Sequence, residues 1–174
     1  MTPDVVYLDS NVFFYSKIMD KRYGPDCAKL LRRVQAGEIK GAISSLVVLE
    51  VANALRRFGF SKEAQRTCTA ILSMPLVVRP LSPESLHEAL DIFQRLKISP
   101  YDCAHLATMK ELGLRRIVSA DSDFDAAEWI ERIDPLKLDE IPERERLKSK
   151  RSMFGADPRL TTEDLRDEDE PHGR

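Results

Sequence analysis

Apolar positions along the chain fall into short blocks that alternate between two spacings. Residues 5–8, VVYL, form a β-branched run, and after Asp9 the segment SNVFFYSKIM carries its apolar residues at helical intervals, so a strand followed by a helix is predicted. PDCAKLLRRVQAG (25–37) predicts a helix with a proline at its start and a glycine at its end. EIKGAIS (38–44) predicts a second strand, and SLVVLEVANALRRFG (45–59) a long helix closed by Gly59. SKEAQRTCTAILSM (61–74) is amphipathic and helical, LVVRPL (76–81) reads as a third strand, and SPESLHEALDIFQRL (82–96) has a Ser-Pro-Glu helix start. A further helix at SPYDCAHLATMKELG (99–113), a strand at RRIVSA (115–120), an acidic turn DSDFD (121–125), a short helical stretch and a last strand near ERIDPLKL (131–138) complete the pattern. Strands alternating with helices predict an α/β domain with a mostly parallel sheet covered on both faces.

Charge divides the chain. Residues 1–138 hold 19 Lys/Arg and 18 Asp/Glu, a net of +1, whereas residues 139–174 hold 8 and 11, a net of -3, and are poor in large apolar side chains. Two regions are therefore expected: a folded domain over 1–138 and a charged, flexible tail over 139–174 with a helical piece around 142–150. The overall charge of -2 gives no general attraction to nucleic acid or anionic membranes. Cys27, Cys68 and Cys103 are odd in number and widely spaced, which fits buried thiols in a reducing compartment. With no apolar run long enough to span a bilayer and no leader pattern, a cytoplasmic protein is expected.

Candidate chemistry lies in the carboxylates. Asp9 follows the first strand, where a helix cap is its ordinary role but where parallel sheets also collect ligands. Glu50 sits among aliphatic residues, and its helix neighbours Leu46, Val47, Asn53 and Ala54 supply no base, so it either reaches solvent or meets a cation in the fold. Asp102 falls at the third position of a helix capped by Ser99, where a carboxylate suits the helix dipole and can answer the cap. Asp121, Asp123 and Asp125 crowd the turn after the fourth strand, with Asn11 and Ser119 as neutral oxygen donors nearby. If the strand order brings these acids together, two charges about 5 Å apart repel by roughly 3 kcal/mol at an effective dielectric near 20. A domain stable by about 5–15 kcal/mol relieves such crowding by protonation, separation or a divalent cation. Oxygen ligands favour Mg²⁺ or Mn²⁺, ions suited to phosphodiester hydrolysis.

The segments YLDSNVFFY, SSLVVLEVANALRR, SPYDCAHLATMKELG and RIVSADSDFD resemble, in order and approximate spacing, the four acidic motifs of the PIN-domain nucleases, particularly the VapC-like toxins of toxin–antitoxin pairs. The resemblance spans residues 4 to about 137. It implies a three-layer α/β/α sandwich and a Mg²⁺- or Mn²⁺-dependent endoribonuclease, with Asp9, Glu50, Asp102 and Asp121 as the catalytic, metal-binding acids and Asp123 as a supporting or alternative fourth ligand. Asn11 and Ser119 match polar positions beside the metal. RNA is then the substrate, a small antitoxin a possible partner, and the apolar surfaces of helices 25–36 and 46–58 suggest a homodimer. A housekeeping RNA-processing nuclease and a non-catalytic protein-binding module of the same fold are the alternatives. His105 is read as a hydrogen-bonded helix residue that can support Asp102, and the pairs Arg56–Arg57 and Arg115–Arg116 as candidate phosphate contacts flanking the acid rim. His87 and His172 lack partners at metal-ligand spacing. No GxGxxG or GxxxxGK[ST] occurs, which argues against dinucleotide and P-loop chemistry.

Overall fold

The structure, a computed structural model, describes residues 5–141. Its elements follow the sequence pattern closely: β1 Val5–Leu8, α1 Ser10–Ile18, α2 Gly24–Gln35, β2 Lys40–Ser44, α3 Ser45–Arg57, α4 Ser61–Leu72, β3 Leu76–Arg79, α5 Pro83–Leu96, α6 Pro100–Glu111, β4 Arg116–Val118 and β5 Glu131–Ile133. Two 3-10 segments, Ser122–Ala126 and Pro135–Glu140, flank β5. The expected helical piece around 142–150 and most of the charged tail lie outside the described residues. Ile141 is buried with the core, so the packed unit reaches past residue 138.

All five strands are parallel, in the order β3-β2-β1-β4-β5. The chain builds outward from β1 to β3 and then returns to the other side of β1 to lay down β4 and β5. The direction of winding therefore reverses between β1 and β4. Such a switch point leaves a crevice at the carboxyl ends of the two strands, the place where open α/β sheets bind ligands. α1 packs against α2 and α3, α3 against α4, and α5 pairs with α6. With the five-stranded sheet between helical layers this is a PIN-like α/β/α sandwich.

Burial explains the composition of each element. β1 and β4 are covered on both faces, and Tyr7, Leu8, Ile117 and Val118 are fully inaccessible. α2 buries Cys27, Leu30 and Val34 at helical intervals, and α3 buries Val47, Val51 and Leu55. α6 is buried continuously through its middle, from Cys103 to Met109, with only its ends exposed. The tight link from α1 to α2 depends on Gly24, where a Cβ would lie 2.7 Å from the Met19 carbonyl carbon. β5 is shorter than its apolar pattern implied because Pro135 lacks an N–H, and Asp134 caps the 3-10 segment instead by accepting from the Leu136 N–H. The three cysteines are unpaired; Cys27 and Cys103 are buried and Cys68 half-buried. No helix among the described residues is long and apolar enough to cross a membrane.

Candidate active site

Asp9 stands one residue past β1, and Ser119 stands in the corresponding place past β4, so the two flank the switch point directly. Asp9 does cap α1, with Oδ1 accepting the Ser10 N–H at 2.6 Å. Its other oxygen has a different use. Oδ2 accepts from the Ser119 hydroxyl at 2.6 Å and from the Asn11 amide at 2.5 Å, and that amide also donates to Ser119 Oγ at 2.9 Å. The carboxylate is thus held at both ends, although it is only 5% exposed. Burial raises the Asp9 pKa, the Glu50 charge adds to the rise, and His105, Ser119 and Ser10 oppose it.

Glu50 meets a hydrogen-bond donor across the fold. His105, on α6, is fully buried, and its Nε2 lies 2.8 Å from Glu50 Oε2. A carboxylate can only accept, so Nε2 carries a proton whatever the charge on the ring. On the other side Nδ1 faces the Tyr7 hydroxyl at 2.9 Å and the Ser44 hydroxyl at 3.4 Å, and Tyr7 Oη accepts the Ser44 N–H. Burial alone would lower the His105 pKa, but the Glu50 hydrogen bond and the charges of Glu50, Asp9 and Asp102 outweigh it and raise the value. His105 is the hydrogen-bonded helix histidine that the sequence favours; its partner is Glu50 on α3 rather than Asp102, the alternative one helical turn away. Tyr7, which had no role in the sequence reading, completes the chain; its only sequence signal was a polar atom inside an otherwise apolar strand.

Asp102 approaches from the start of α6. Ser99 caps that helix by accepting the Tyr101 N–H at 3.2 Å. Burial, and next the charge of Asp9, push the Asp102 carboxyl up to about 7. Asp121 is not the direct counterpart of Asp9, since it lies two residues beyond Ser119; its N–H donates to Ser119 Oγ at 2.9 Å. Its carboxylate in turn caps the 3-10 segment by accepting the Asp123 N–H.

These acids form two adjoining groups. Asp9, Glu50 and His105 each offer a ligand atom within 4.8 Å of the others, and so do Asp102, Asp121 and Asp123. Asp9 and Glu50 both raise the Asp102 pKa electrostatically, so the groups share one field. At 4.8 Å two carboxylate charges cost each other about 3 kcal/mol at an effective dielectric of 20. Both His105 nitrogens are engaged within the protein, which leaves a donor set of carboxylate oxygens and fits a hard divalent cation rather than zinc. Asp125 is not part of the cluster; it pairs with Arg132, which also donates to the Ser119 carbonyl.

The arginine pairs separate. Arg57 lines a groove beside Glu50, whereas Arg56 turns to Asn53 Oδ1. Arg115 and Arg116 open β4 and so stand at the amino end of that strand, away from the acids, contrary to the expectation that they flank the rim.

The family model of the PIN domain matches residues 6–130, and the chain belongs to that family. Solved structures show the same fold at low identity. VapC20 of Mycobacterium tuberculosis, a sarcin-ricin loop cleaving toxin, shares 18% identity over 72% of this chain and 97% of its own, with a TM-score of 0.62. A DNA-bound VapBC from Salmonella typhimurium shares 17% over 76% of this chain and 98% of its own, at 0.59. A toxin–antitoxin complex from Klebsiella pneumoniae shares 19% over 75% and 97%, at 0.55. At these identities the likeness is one of fold. No curated protein is significantly similar in sequence.

Proposed function

We propose that the protein is a Mg²⁺- or Mn²⁺-dependent endoribonuclease acting on single-stranded or looped RNA, and that it works as the toxin of a toxin–antitoxin pair in the cytoplasm. The observation that carries this reading is the crowding of Asp9, Glu50, Asp102, Asp121 and Asp123 at the switch point, where His105 is the one basic side chain hydrogen-bonded to any of these five carboxylates among the described residues. Acids in this number, one of them pushed up to about 7, suit a bound divalent cation and the phosphate it attracts. Asp9, Glu50, Asp102 and Asp121 would hold the ion, with Asp123 beside Asp121 as a further ligand. When bound, the cation supplies positive charge for the phosphate and acidifies water. The protein's own groups position rather than attack. Ser119 and Asn11 orient Asp9, and His105 fixes Glu50 through a chain that ends on the β2 backbone at Ser44. No side chain need act as nucleophile.

Structural neighbours that are toxin–antitoxin complexes support a small protein inhibitor as partner. A homodimer is proposed as well, although its basis shifts. α2 carries none of the large exposed apolar residues, whereas α3 carries Leu49, α4 Leu72 and α5 Leu86, Leu90 and Phe93. Light scattering that gives a monomer mass of 19.8 kDa at micromolar concentration would reject the dimer. The test of the activity is cleavage of unstructured RNA with Mg²⁺ against Asp9→Asn and Asp102→Asn. Loss of cutting in both, with the folding midpoint unchanged or raised, is expected. If both variants cut at the parent rate, the assignment is wrong.

A further inference from the structure

A groove of about 620 Å³ opens beside Glu50 and is lined by Leu46, Leu49, Asn53, Arg57, Phe58 and Tyr101, among others. Glu50 belongs both to this groove and to the acid cluster, so the two are continuous. Residues 46, 50, 53, 54 and 57 form one stripe along α3, since positions three and four apart share a helix face. The stripe leads from the carboxylates to Arg57, about 10 Å along the helix axis at 1.5 Å per residue. Tyr101 stands next to Asp102, on the opposite wall. Tyr101 is 61% exposed as a residue, and Phe58 64%.

Exposed aromatics of this size are costly to leave in water and carry stacking surfaces. Phe58 is braced from one side by the buried Phe14, edge to face with centroids 4.9 Å apart. Arg57 makes no hydrogen bond or ion pair among the described residues. The Asn53 carbonyl oxygen is taken by Arg56, which leaves its amide N–H groups for a ligand. Aromatic rings, a free guanidinium and an amide donor in a trough that ends at a phosphodiester-cutting centre match one ligand class. A base offers a π-face to the rings, and the backbone offers phosphates to the arginine.

We infer that this groove is the subsite for an unpaired nucleotide of the RNA substrate next to the bond that is cut, with a base stacked on Tyr101 and Phe58 and a neighbouring phosphate on Arg57. The inference rests on the endoribonuclease reading and adds to it a reason for single-strandedness: a base held in a duplex cannot leave its stack to enter the trough.

The test separates the two readings. Binding is followed without cutting, in the Asp9→Asn background, with an oligoadenylate that carries one 2-aminopurine, whose fluorescence reports stacking. Tyr101→Ala is expected to weaken binding on the order of tenfold and to lose the quench, and Tyr101→Trp to restore both. Arg57→Gln is expected to lower the slope of log affinity against log salt by about one. In the otherwise native enzyme Tyr101→Ala should raise KM while kcat holds, and an abasic site beside the cut should slow the parent but not Tyr101→Ala. Tyr101 is exposed, so its truncation leaves the core intact; unchanged binding and cutting in Tyr101→Ala overturn the subsite while leaving the nuclease reading standing. A parent that cuts no RNA defeats the nuclease reading itself. If Tyr101→Ala alters only the solution mass, the groove is an interface between copies and the inference fails.

Discussion

Asp102 and Asp125 are the same residue type, each in the first turn of its segment, and the fold treats them in opposite ways. Burial and the charge of Asp9 push Asp102 up to about 7. Asp125 lies in the open, and a two-pronged contact with Arg132 holds its carboxyl below the usual range. Glu111 repeats the second pattern, lowered by Arg79 and Ser85. Outside the crevice Glu38, Glu88, Glu111 and Asp125 each meet a base; at the switch point several acids gather around one histidine. Crowding of that kind costs stability, which fits the proposed role of the crevice as the active site.

The largest effect that sharpens this contrast is on catalysis. Ser119→Ala removes the hydroxyl that fixes Asp9 Oδ2, and RNA cleavage is expected to fall about 10–100-fold, as is usual for partners that orient a metal ligand. Asp125→Asn should leave cleavage near the parent rate. Equal losses in the two variants would dissolve the distinction between them.

Folding should discriminate next. Tyr7→Phe strips the acceptor from the buried Ser44 N–H and a partner from His105, for a loss of about 1–3 kcal/mol in denaturant unfolding. An unchanged midpoint would mean that the hydroxyl chain does not support the Glu50 anchor.

A pH series breaks or confirms the sign difference. Without a divalent ion, a carboxyl whose folded pKa is raised binds more protons folded than unfolded, so its share of stability falls as pH rises from about 4 to about 7 and then levels off. With solvent screening the penalty is of order 1–2 kcal/mol. Asp102→Asn should remove that fall, and added Mg²⁺ should offset it by mass action in thermal melts. For Asp125 the sign reverses: its pairing is present above the ordinary carboxylate pKa and is lost as pH falls through the lowered one. A melting curve for Asp102→Asn parallel to the parent's between pH 4 and 8 would show that Asp102 is not crowded. The smallest effect is expected for Asp125→Asn at neutral pH, below about 1 kcal/mol, because the pair is exposed.

Much of the fold was legible because helix and strand periods are local. The stop signals are local too: Gly59 takes a positive φ of 87° where α3 ends, and Pro135 halts β5. The acids were legible as candidates because Asp9 lies at a strand end and Glu50 has no base within a helical turn. Less legible were the partners. His105 was legible as a hydrogen-bonded helix histidine, but Asp102 was the only candidate partner one turn of helix displays, whereas the contact it makes spans 55 positions. Arg115 and Arg116 were placed near the rim because four residues separate them from the acids along the chain, yet β4 runs between, and an extended strand carries its two ends to opposite edges of the sheet.

The order of residues by itself therefore determined the elements, their ends and the supply of carboxylates, since each depends on neighbours a few positions away. Only the tertiary structure decided that β1 and β4 lie side by side, that Ser119 rather than Asp121 holds Asp9, and that a buried histidine, backed by Tyr7, is the hydrogen-bond partner of Glu50. Those contacts depend on how the strands are ordered in the sheet, and that order is set by the packing of the whole core.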